Sequence, residues 1–138
     1  MKGWEKGVDL LRQAIEKDRK NPALQNELVI ARHIALSVRS TINIIRFYDL
    51  LQRWEKNKAR LRAETPHFGV QARPDKVLSA KLKKILGEEI LNAQEDKELV
   101  KAEPRLGFHP EAHVHLFTPD DLDYKISLAQ DTLSKLRI

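Results

Sequence analysis

The chain has 138 residues, of which 41% are apolar and 33% charged, with five Gly, no Cys and a formal charge of +5. That length supports one domain, residues 1–138, with its own core, and is short for two. The composition excludes a disulfide scaffold, thiolate metal sites and Cys nucleophiles, and it does not have the character of a disordered segment.

The first predicted helix runs from about Trp4 to Arg19, where Trp4, Val8, Leu11 and Ile15 form one apolar stripe. Asn21-Pro22 stops it and opens the next, with Asn21 as N-cap and Pro22 at the first helical position. No Gly or Pro follows until Pro66, so a second, long helix is expected to about Arg62. His67 to Pro74 reads as a loop. A third helix opened by Pro74 carries Val77, Leu78, Leu82, Ile85, Leu86, Ile90 and Ala93 on its apolar face to about Lys101. Thr118-Pro119-Asp120-Asp121 supplies a cap, an N1 proline and a nearby acid for a last helix with Leu122, Ile126, Ala129, Leu133 and Leu136. The expected fold is all-α: a bundle of about four largely antiparallel helices, one of them long and central, with an ordered irregular segment before the last.

That irregular segment, Glu103 to Phe117 (EPRLGFHPEAHVHLF), is longer than a connector between helices needs. It is either a plug folded onto the bundle or a displayed site. Arg105, His109, Glu111, His113 and His115 are its ligand or interface candidates. His109, His113 and His115 are also the nearest approach to a metal site, since imidazoles ligate zinc, but no Cys and no HExxH helix support them, and no metal is assigned.

On the long helix Arg32, Arg39, Arg46 and Arg53 recur every seven residues, with Asn43 placed on the same face. One reading makes this the solvent face of an amphipathic helix. A sharper one is a polar cluster in which Arg39, Asn43 and Arg46 meet Glu88, Glu89 and Asn92 of the third helix, with Glu103 beside them. An anion-binding ladder is the third reading; because acids are interleaved with the basic residues, nucleic acid is not the expected partner. Asp120, Asp121 and Asp123 are explained by helix capping, no serine sits on a nucleophile turn, and no Gly-rich phosphate loop occurs. Catalytic residues and cofactors are therefore not assigned. With no run of eighteen apolar residues and no signal-like h-region in MKGWEKGVDLLRQ, the chain is expected to be soluble and without a membrane partner, its location unassigned.

The order Arg39-Ser40 and Asn43, then Glu88-Glu89 and Asn92-Ala93, then Glu103 and Arg105-Leu106-Gly107-Phe108 resembles the helical C-terminal region of bacterial proteins related to glycoside hydrolases, of the α-glucuronidase-like kind. The resemblance covers roughly Glu27 to Ile126. It departs from the family pattern at Glu103, where Asp is frequent, and at His109, where an acid is often found. It implies a non-catalytic accessory domain that packs against a larger catalytic domain in a carbohydrate context, and therefore an exposed apolar patch on the isolated chain. Two other classes compete: a stand-alone basic module for nucleic acid or an acidic protein, and a His-based metal-dependent hydrolase.

Overall fold

A computed structural model of the chain describes residues 2–64, 75–107 and 118–136. Four α-helices account for nearly all of them: α1 (Lys2–Lys17), α2 (Pro22–Glu64), α3 (Lys76–Ala102) and α4 (Pro119–Lys135). A short 3-10 turn, Pro104–Gly107, follows α3. The expected all-α bundle with a long central helix is what is found. α2 is unbroken over 43 residues, about 65 Å at 1.5 Å per residue.

The ends are set by side chains that satisfy orphan amides. Asn21 Oδ1 accepts from the amides of Ala23 (3.1 Å) and Leu24 (3.3 Å), the cap expected for α2. At α4, Thr118 accepts from the Asp121 amide and Asp121 accepts from the Thr118 amide, a reciprocal capping box. α3 differs from the expectation that Pro74 opens it. The helix starts at Lys76, because the carboxylate of Asp75 accepts from the amides of Val77 (2.9 Å) and Leu78 (3.1 Å) and so fixes the first turn.

Successive helices run antiparallel. Along α2, His33, Leu36, Ser40 and Asn57 meet Asp96, Asn92 and Glu89 of α3 and its N-cap Asp75, so α3 retreats as α2 advances. α4 then returns along α3: Lys97 holds Asp123 near its start, and Leu136 packs on Leu82 and Leu86 near its end. α1 lies on the first half of α2, where the Trp4 indole N–H donates to the Ala31 carbonyl at 2.9 Å.

The core is built in two apolar sections. One gathers Leu82, Leu86 and Leu136 with Phe47, Leu50 and Trp54 packed around them. The other gathers Ala93, Val100 and Leu122 with Leu106 and Ile126. Glu89 and Asn92 of α3 fall between the two sections in sequence, so a polar layer interrupts the apolar filling. α2 also holds a stretch of mean hydropathy 1.3 that is long and apolar enough to cross a bilayer by those measures, with 22% of it buried in the bundle. Arginines at seven-residue intervals hide it from a search for unbroken apolar runs.

Candidate functional site

The polar layer is built around one carboxylate. Glu89 is 7% exposed, and its Oε1 accepts from the Ser40 hydroxyl at 2.7 Å while Oε2 accepts from the Asn43 amide at 2.8 Å. Lys125 of α4 completes the group: its ammonium pairs with Glu89 Oε1 and donates to Ser40 Oγ at 2.7 Å. Three helices thus converge on a single negative charge. A carboxylate removed from water at this depth would be strongly unfavourable alone, and three donors with one positive charge offset that penalty. One turn further along α3, the Asn92 amide donates to the Leu36 carbonyl at 2.9 Å. One turn beyond that, the Nδ1–H of His33 donates to Asp96 Oδ1 at 2.6 Å, since an ionised carboxylate can only accept.

Of the polar cluster expected from the sequence, Asn43 and Glu89 meet directly, Asn92 stands one turn along α3 and bonds Leu36 instead, and Arg39, Arg46 and Glu103 lie elsewhere. Arg39 instead reaches Glu5 of α1 at 3.8 Å. Arg46 is exposed, and Glu103 sits past the end of α3. Asn43 does not share the arginine face: it points at α3 and is 3% exposed. The reason is rotational. His33, Leu36, Ser40, Asn43, Phe47, Leu50 and Trp54 recur at alternating steps of three and four and form the seam α2 presents to the core, whereas the arginines lie along its edge. Arg32 pairs with Glu95 of α3 at 2.7 Å and Arg53 with Asp49 at 2.9 Å, so three of the four ladder guanidinium groups share their charge with an acid.

Ser40, Lys125, His33 and Asp96 were missed as members of the layer. Ser40 and His33 had a signal: they are the polar positions, with Asn43, on that three-four seam. Lys125 had none, because only the packing of α4 across α2 and α3 brings it to Glu89.

Arg105 lies at the surface rather than inside the bundle. Its Nε donates to Glu103 Oε1 at 2.6 Å and its Nη2 to Oε2 at 2.7 Å, a bidentate pair across the 3-10 turn. These hydrogen bonds, with the Arg105 backbone amide also donating, lower the Glu103 pKa from 4.5 to about 2. A depressed carboxylate favours the folded chain fully above pH 4.5 and loses that contribution as the pH falls toward 2. Carboxyl-carbon NMR should therefore find Glu103 still ionised at pH 3, and Arg105→Ala should return its midpoint to the ordinary glutamate range. An unchanged midpoint in that variant would remove Arg105 as the cause. His109, Glu111, His113 and His115 lie outside the described residues.

Two surface depressions adjoin these features. A cleft of about 600 Å³ is lined by Ala23, Asn26, Glu27 and Ile30 of α2 with Glu103, Arg105 and Leu106. A groove of about 340 Å³ runs between α2 and α4; Asn43, Glu89 and Lys125 touch its polar end, and Ile44, Phe47, Tyr48, Ile85, Leu86 and Leu128 line the rest. The rings of Phe47 and Tyr48 meet edge to face at 5.9 Å, Phe47 turned to the core and Tyr48 60% exposed at the rim.

Chemically, the layer offers a carboxylate whose two oxygens are both engaged by its own helices, which suits fastening better than proton transfer. Among the described residues no group of three or more His, Asp or Glu could hold a metal ion. Comparison of the chain with protein-family models, with curated proteins and with solved structures found no match.

Proposed function

We propose that the chain is a non-catalytic helical accessory domain of a larger, carbohydrate-active protein of glycoside-hydrolase type, and that it docks on its larger neighbour through the groove between α2 and α4. The observation that supports this reading is the groove itself. Ile44 (45% exposed), Tyr48 (60%) and Leu128 (54%) stand around its mouth, and Tyr124 (72%) lies one turn before Leu128 on α4. Large apolar side chains gathered in this way mark a contact surface rather than ordinary scatter. The internally engaged Glu89 fits the non-catalytic half of the reading; the carbohydrate context rests on the resemblance of the helical motifs.

Hydroxyl-radical footprinting of the chain alone and of the natural protein that carries it tests the docking. Tyr124 and Leu128 are expected to be oxidised in the isolated chain and at least fivefold protected beside the larger domain, with Leu128→Glu abolishing the protection of Tyr124. Equal oxidation of these two side chains in both settings would sink the docking. Turnover of aryl glycosides or glucuronides by the isolated chain would sink the non-catalytic reading.

A further inference from the structure

α2 carries a second seam on its back. Ile34, Val38, Thr41, Ile45 and Tyr48 recur at steps of four, three, four and three, with Ile30 one turn before, and the four large side chains Ile34, Val38, Ile45 and Tyr48 are 39–64% exposed. At 100° per residue this stripe lies nearly opposite the core-facing seam, so the helices described here leave it open. The seam carries no charge over this length. Its one polar member, Thr41, already donates its hydroxyl to the Ser37 carbonyl at 3.0 Å and asks nothing of a partner. A 3.5-residue apolar repeat on an exposed helix is the pattern that packs against another helix of the same repeat.

We infer that the partner on this face is a second copy of the chain, with the two α2 helices antiparallel about a two-fold axis that passes between Arg39 and Ser40. In that register Ile34 faces the partner's Ile45, Val38 faces the partner's Thr41, and Ala31 faces the partner's Tyr48, while Ile30, at the margin of the seam, falls level with the partner's Asp49. The ends fix the direction. Glu27 closes the seam at its N-terminal end and Gln52 and Lys56 at the other. Antiparallel pairing sets Glu27 against the partner's Gln52 and one turn from the partner's Lys56; parallel pairing would set Glu27 against its own copy and Lys56 against its own. The helix dipoles favour the same choice. The contact is isologous, as a two-fold requires. From Ile30 to Tyr48 it is only about 27 Å long, so micromolar rather than nanomolar dissociation is expected. This face is distinct from the α2–α4 groove and meets it only at Tyr48, so the inference stands whether or not the groove docks a larger domain.

Sedimentation equilibrium over a hundredfold range of micromolar concentrations tests it, with disulfide trapping for the register. The chain has no Cys, so single cysteines report cleanly. The expected result is a reversible dimer whose dissociation constant rises at least tenfold in Val38→Glu and stays within twofold in Leu128→Glu. A mixture of Ile34→Cys and Ile45→Cys chains should form the mixed disulfide, and neither chain alone should form its own. A monomer at all concentrations overturns the inference, as does a dimer indifferent to Val38→Glu. Self-disulfides of Ile34→Cys would show a parallel pair and overturn the antiparallel register.

Discussion

Glu89→Ala is expected to destabilise the chain by about 3 kcal/mol, read as a lower urea midpoint at unchanged slope. The substitution leaves the ammonium of Lys125 without its counter-charge and the amide of Asn43, 3% exposed, without an acceptor. Most of the loss comes from these abandoned partners rather than from the intrinsic worth of the pair. It follows that Glu89→Leu combined with Lys125→Met should recover most of the lost stability, because an apolar filling of similar volume has nothing left unpaired. The two outcomes separate a fastening from a site. If Glu89→Ala were instead neutral or stabilising, the carboxylate would be a residue maintained against folding stability, as ligand-binding groups are, and the groove beside it would have to be reconsidered as a small-molecule site.

The second large effect concerns Leu82, whose side chain is fully buried at 0% exposure where α2, α3 and α4 meet. Leu82→Ala should cost about 3–5 kcal/mol, the transfer loss plus the cavity left among the surrounding side chains. For a chain of this size that corresponds to a fall in Tm of roughly 10 °C or more. Leu91, nine residues along the same helix and 67% exposed, is the control. Leu91→Ala should change stability by no more than about 0.5 kcal/mol. A small effect at Leu82 would mean that α2 or α4 can slide to refill the space, and that the contact of the three helices is looser than their packing implies.

Helices, order and most of the ends were legible in the residues themselves. Asn21, Pro22, Thr118 and Asp121 act locally, through hydrogen bonds to amides two or three residues away, and such signals do not depend on tertiary context. The start of α3 was misplaced by two residues because Pro74 and Asp75 are both plausible openers, and only the Asp75 carboxylate makes the capping bonds. The arginine row illustrates the harder case. A seven-residue repeat of Arg looks like one functional face, yet Arg32, Arg39 and Arg53 each answer to a different acid, on α3, on α1 and on α2 itself.

The sequence by itself determined an all-α chain with one long helix, because periodicity, caps and the placement of Pro and Gly act within a few residues. Only the tertiary structure decided which polar residues meet. Glu89 lies 46 residues from Asn43, and Lys125 lies 85 residues from Ser40, and no pattern within either helix announces the partner. The rotation of α2 settles it: turning one three-four seam to the core buries Asn43 and partly buries His33 and Ser40, and the same turn leaves Ile34, Val38 and Ile45 facing outward. Both stripes satisfy the same helical period, so period alone ranks neither above the other. The choice comes from α3 and α4, whose Glu89, Asp96 and Lys125 can satisfy the polar groups of one seam and leave the mostly apolar, uncharged seam to another surface.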